Sequence, residues 1–160
     1  MNANAELIRK FYSAFQKKDF LTMQSCYHAD ATFSDPVFKN LNSKEVKKMW
    51  QMLLTSSKDL RVEFNTIKAD ETTGSAHWDA WYSFSRTGRR VHNIIRAKFE
   101  FRDGLIYRHN DHFSFWRWSR QALGLSGTLL GWTPVISNKV RNTAARSLSK
   151  FISSDLKSEG

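Results

Sequence analysis

Apolar residues recur at three- and four-residue spacing near the start of the chain. Leu7, Ile8, Phe11, Ala14 and Phe15 share one face, and Arg9, Lys10, Lys17 and Lys18 lie on others. This predicts an amphipathic helix over residues 5–17. Asp19 stands where a second short helix needs an N-cap, with Leu21, Met23, Cys26 and Tyr27 available for its buried side. Residues 30–36 alternate, with Ala31, Phe33 and Asp35 pointing one way, and Pro36 ends the strand. Asn42 followed by Glu45 has the spacing of a capping box, so a third helix should begin near Ser43 and bury Val46, Met49, Trp50, Leu53 and Leu54.

From residue 59 the period changes to two. Leu60, Val62 and Phe64 alternate with polar residues, and Trp78, Ala80, Tyr82 and Phe84 form one face of the next strand. After a turn at Thr87-Gly88, Val91, Asn93, Ile95, Ala97, Phe99 and Phe101 share a face. Asp103-Gly104 signals a hairpin. Beyond it Leu105, Tyr107, His109, Asp111, Phe113 and Phe115 align opposite Ile106, Arg108, Asn110 and His112. A helix over 116–124, a glycine-containing connector (GLSGTLLGWTP) and a final helix over 134–152 complete the pattern, with Pro134 at the last helix's first position after Thr133. Helices first and strands later predict an α+β fold: a meander of long antiparallel strands with helices against its apolar face.

The length of 160 residues fits one domain. The single cysteine, Cys26, excludes a disulfide framework and a multi-cysteine zinc site. No apolar run approaches the ~20 residues needed to cross a bilayer, and MNANAELIRKF carries no signal-peptide pattern, which predicts a cytoplasmic protein. The formal charge is +10. Residues 1–115 hold 18 basic and 13 acidic side chains, a net +5; residues 116–160 hold 7 and 2, also +5, in far fewer residues. No five or six basic residues are consecutive, so nucleic acid is not an expected partner. Lys139, Arg141, Arg146 and Lys150 make the last helix basic and amphipathic. Its simplest role is to fold back on the domain; swapping onto a second subunit comes next, and contact with an acidic membrane after that, weakened by the Ser, Asn and Thr on its polar face.

The opening FYSAFQKKDFLTMQSCYHADATFSDPVF, the turn TGRRVHN and the closing strands AKFEFRDGLIYRHNDHF resemble the nuclear transport factor 2-like superfamily, in its SnoaL-like and ketosteroid-isomerase-like branch. The resemblance covers about residues 5–116 and implies a SnoaL-like domain over 1–116, with 117–160 as a helical extension packed on it. It further implies a cone whose open end binds an apolar or aromatic small molecule, walled here by Tyr12, Trp50, Trp78, Tyr82, Phe84, Asn93, Ile95 and Phe99. Sheet-to-sheet dimers of the superfamily imply a homodimer through Trp81, Ile94 and Ile106 on the outer face.

Asp35 matches the aspartate of the D-P pair that serves ketosteroid isomerases as general base. An Asp before Pro also serves as a turn cap. The same enzymes need a tyrosine from the first helix and an acid from a late strand; the corresponding positions here fall on Phe11, one residue from Tyr12, and near Ala97. Steroid isomerisation by that oxyanion hole is therefore not expected. His109 and Asp111 lie two apart on one strand face, ~6.6–7 Å between Cα atoms. They resemble the histidine and aspartate that SnoaL-type cyclases use for proton transfer. An imidazole beside a carboxylate suits acid/base work near neutrality, although Asp111 could instead pair with an arginine such as Arg108. No cofactor is expected, and no metal either, since nothing in the spacing brings His28 near His109 and Asp111.

Overall fold

The computed structural model describes residues 2–159. Helix α1 (Ala3–Gln16) begins at Asn2, whose side chain accepts the amides of Asn4 and Ala5. It buries Ile8, Phe11, Tyr12 and Phe15. Helix α2 (Phe20–Ser25) is capped by Asp19, as its sequence predicts. Strand β1 (Tyr27–Ser34) and the two-residue β2 (Leu41–Asn42) lead into α3 (Ser43–Ser56), which opens with the expected Asn42–Glu45 capping box. Four long strands follow: β3 (Arg61–Ala69), β4 (Thr73–Ser83), β5 (Arg90–Arg102) and β6 (Leu105–His112). The chain closes with α4 (Phe115–Leu123), α5 (Leu125–Leu130) and α6 (Pro134–Glu159).

The six strands form one curved, unclosed sheet in the order β2-β1-β6-β5-β4-β3. Every pairing is antiparallel except β1 with β6, which is parallel. That pairing corrects the all-antiparallel expectation. The first strand is joined to β6 by a long crossover through the rest of the domain, as a parallel pair requires, and the register brings its Phe33 beside His109. The register stacks Trp78 on Ile95, Ala97 on Asp111, and Phe99 and Phe33 on either side of His109. Their concave face receives α1 and α3, so aromatic residues from helices and sheet interlock in one core.

Three further expectations change. A register irregularity at Glu100/Phe101 turns Ile106 inward, where it is fully buried, and leaves Tyr107 half-buried under the Arg102 guanidinium. Strict alternation had placed these two the other way round, with Ile106 in an outer dimer face. The glycine-containing connector holds a helix, α5. The last helix runs past residue 152 to Glu159. The Asp103-Gly104 turn is as predicted: both residues have positive φ (54° and 75°), the geometry of a two-residue hairpin that matches sheet twist.

Helix α6 folds back across the domain. Leu148 is buried in the main core, with Ala144 and Ile152 packed beside it. Lys48 on α3 pairs with Asp155, and the Arg141 guanidinium donates to the Pro36 carbonyl at 2.9 Å. Among the described residues no helix is long and apolar enough to cross a membrane.

Candidate active site inside the curved sheet

His109 is fully buried and Asp111 is 3% exposed. The His109 ring is enclosed by Phe11, Tyr27, Phe33, Trp50 and Phe99, with ring centroids 4.5 to 6.3 Å away. A polar chain runs through this cage. The Trp50 indole N–H donates to Tyr27 Oη at 2.9 Å. Tyr27 Oη lies 2.8 Å from His109 Nδ1, and His109 Nε2 lies 2.9 Å from Asp111 Oδ1. An indole nitrogen can only donate, so the Tyr27 hydroxyl accepts from it and directs its own proton at Nδ1. In the neutral ring the remaining proton sits on Nε2 and points at Asp111. The tautomer of His109 thus follows from two residues, Tyr27 and Trp50, that contact it from β1 and α3. Asp111 pairs with His109 and not with Arg108, which bonds Glu100.

Asp35 follows β1 at the edge of the same interior. Its Oδ1 accepts the amides of Val37 and Phe38 at 2.7 and 2.6 Å, the turn-capping geometry, while its Oδ2 has no hydrogen-bond partner among the described residues. Burial pushes its pKa up to about 7; the amide bond from Phe38 opposes that rise, and the Asp111 charge adds to it. Capping and a raised pKa therefore coexist in one residue. The turn engages one oxygen, and desolvation acts on the whole carboxyl.

The expected wall residues divide into three groups. Tyr12, Trp50, Trp78, Ile95 and Phe99 belong to the main core around His109. Two of them carry polar atoms with no partner: Tyr12 Oη and Trp78 Nε1 are buried and make no hydrogen bond. Their rings lie 6.0 Å apart. Burial, and after it the Asp111 charge, holds the Tyr12 hydroxyl well above its usual pKa, so it remains a donor. Asn93 faces the same way, half-buried, opposite Ala80. Tyr82 and Phe84 instead contact the helical extension, with Tyr82 touching both apolar clusters.

The sequence matches the SnoaL-like domain family over residues 8–109, almost two-thirds of the chain and most of the region that builds this interior, Asp111 lying just beyond it. The chain belongs to the SnoaL-like family. No curated protein matches it. Solved structures of similar fold include TerC co-crystallised with polyporic acid (18% identity, 71% of this chain and 92% of that one, TM-score 0.61). An epoxide hydrolase of M. tuberculosis is 18% identical over 80% of this chain and 96% of its own, with a TM-score of 0.63. A protein of ketosteroid-isomerase-like fold from Catenulispora acidiphila, in complex with trimethylamine, is 13% identical over 81% and 98%, with a TM-score of 0.64. At these identities the likeness is one of fold.

Residues beyond the family match pack against the SnoaL-like core at Tyr82, Phe84 and Val91. The Trp118 indole donates to Tyr82 Oη at 2.7 Å and its ring packs on Phe84 and Phe115. Burial holds the Tyr82 hydroxyl up at about 12; the Trp118 bond works against this and the Asp35 charge with it. β6 ends at His112, so β5 loses its partner before His92. There the Gln121 side chain takes over, accepting the His92 amide at 2.8 Å and donating to its carbonyl at 3.0 Å. Thr87 and Arg89 bond the Ala122 and Gln121 carbonyls, which ties α4 to the β4–β5 turn.

Sequence reasoning missed Tyr27 and Gln121 as parts of this SnoaL-like site. Tyr27 looked like the end of a helix, and Gln121 lies in a segment whose path no local pattern reveals. His28 is held elsewhere, against Asp103 and the Asp30 amide. On the outer face Trp81 is sandwiched by Arg61 and His92, and His92 bonds Asp79 at 2.7 Å. A cleft of about 340 Å³ opens between α6 and the Val37–Phe38 turn beside Asp35. A larger one, about 570 Å³, lies along the β3–β4 turn and is lined by Lys68, Asp70, Lys98, Glu100 and the cage residue Phe99.

Proposed function

We propose that the protein binds an apolar carbonyl compound inside the curved sheet and moves a proton next to that carbonyl. The observation that carries this reading is the pair of orphaned donors, Tyr12 Oη and Trp78 Nε1, in the same aromatic interior that Asp111 lines and Asp35 borders. A buried donor without an acceptor costs about 1–3 kcal/mol, and a ligand oxygen would recover it. Asp35 supplies the base. Its free oxygen takes a proton from the carbon beside the carbonyl, and the C–H electron pair moves into an enolate. The two donors hold the enolate oxygen, and the proton returns to carbon. A carboxyl with a pKa of about 7 is matched to this task near neutrality. Asp111 is oriented by His109, which in turn is oriented by Tyr27 and Trp50, so His109 acts from behind the carboxylate. Two fold neighbours, one co-crystallised with polyporic acid and one in complex with trimethylamine, support binding of a small organic molecule.

The test is deuterium exchange. A hydrophobic enone is incubated with the protein in D₂O, and deuteration next to the carbonyl is followed by NMR. Exchange by the wild type that is lost in Asp35→Asn, with folding retained, supports the reading; no exchange across a panel of enones and quinones overturns it. A non-catalytic binding module is the second reading. It is favoured by one observation, that both ring nitrogens of His109 are already satisfied within the protein. Quenching of tryptophan fluorescence by the same compounds without exchange would select it.

A further inference from the structure

Six of the ten large apolar side chains left exposed among the described residues fall between Trp116 and Val135. Helix α5 is built inside out for a water-facing helix. Gly127 lies against α4 so closely that a Cβ there would sit 1.9 Å from the Ser119 carbonyl oxygen. Gly131, four residues on, also approaches Ser119. The small face is thus turned inward and fixed, and the leucine face is turned out: Leu125 is 75% exposed and Leu129 60%. Two tryptophans complete the surface. The Trp116 indole donates to the Thr128 carbonyl at 3.2 Å and the Trp132 indole to the Leu129 carbonyl at 3.0 Å. Both are anchored to the last turn of α5, and the Trp132 ring remains 73% exposed. Both indoles are thus tied to the backbone, and the Arg120 guanidinium lies over the Trp116 ring at 4.8 Å.

The charge along this segment of the chain is of one sign. Residues 112–154 contain Arg117, Arg120, Lys139, Arg141, Arg146 and Lys150 and not one Asp or Glu. A second copy of the chain docked here by the same face would bring two copies of this cationic segment together. A surface of anionic phospholipid complements both features: leucine and tryptophan enter the headgroup–acyl boundary, and the basic side chains meet lipid phosphates. We propose that the α5 knuckle, residues 116–135, docks the protein onto anionic membrane surfaces without spanning them. The proposal stands apart from the reading of the interior and does not depend on it.

Co-sedimentation of the full chain with vesicles tests it. Binding is expected to phosphatidylcholine vesicles containing roughly a third phosphatidylserine, to be weak with phosphatidylcholine alone, and to fall as salt is raised. The double variant Leu129→Ser/Trp132→Ser should lose at least about tenfold in affinity. Its thermal midpoint should stay near wild type, because both side chains face solvent. Leu125→Gln provides a second, milder variant with the same expected direction should the double variant fold poorly. Failure of the wild type to bind phosphatidylserine vesicles overturns the proposal. So does equal binding by Leu125→Gln and wild type. A wild-type dimer that Leu125→Gln converts to a monomer in light scattering also overturns it, by assigning the face to a second copy.

Discussion

Tyr27 places one hydroxyl between two nitrogens that would otherwise lack a partner, Trp50 Nε1 and His109 Nδ1. Tyr27→Phe keeps the ring packing and strands both. Stability should drop by about 2–3 kcal/mol, read from chemical denaturation, since each buried orphan carries its own desolvation cost. Asp35 makes a prediction of opposite sense. Its ordinary pKa of 3.8 is raised to about 7 in the folded protein. Between those values the folded state holds a proton that the unfolded chain has released, so this residue lowers stability progressively as pH rises, with the full cost present above about 7. Asp35→Asn keeps an oxygen for the Val37 and Phe38 amides and removes the titration. The variant should match the wild type near pH 4 and exceed it near pH 8 by on the order of 3 kcal/mol, a gap that opens through the window between. A constant gap across that range would show that Asp35 does not titrate there.

The end of β6 at His112 leaves two β5 backbone groups at His92 open, and Gln121 closes them from α4. One side chain on a helix thus replaces a strand. Gln121→Ala should cost about 1–2 kcal/mol and raise amide exchange at His92 more than at Ile95, which lies within the continuous ladder. Uniform exchange changes along β5 would argue against a local role. The elements themselves were legible in advance. The Asn42–Glu45 capping box, the Asp19 cap, the period-two runs and Asp103-Gly104 set helix starts, strands and a turn where the structure has them. Two things were not. The irregularity at Glu100/Phe101 swaps the faces of Ile106 and Tyr107, and α5 hides in a glycine-containing stretch because its inward face needs no side chains.

The molecule is closed by its own C-terminal segment. Leu148 is 3% exposed against a core otherwise made by residues of the SnoaL-like region. Leu148→Ala should therefore cost about 2–4 kcal/mol and shift the single global transition. An appendage that merely rests on the surface would give a change below about 0.5 kcal/mol, as surface substitutions do. The same closure puts Trp118 over Tyr82 and sets the cleft beside Asp35 between α6 and the β1–β2 connection. It also carries α5, packed against α4 at Ser119 with its leucines exposed, so the packing on Tyr82 and the proposed membrane-docking surface belong to one segment.

Local chemistry alone specified the secondary structure, the inward face of Asp35, His109 and Asp111, and the basic bias of the last 45 residues, because caps, turns and alternation act over a few neighbouring positions. The parallel seating of β1 against β6, the five-ring cage that puts His109 behind Asp111, the orphaned donors on Tyr12 and Trp78, and the exposure of the α5 leucines all arise from contacts between residues distant in the chain. A hydrogen bond from Trp50 through Tyr27 to His109 joins α3, β1 and β6, and no spacing rule within any one of them encodes it.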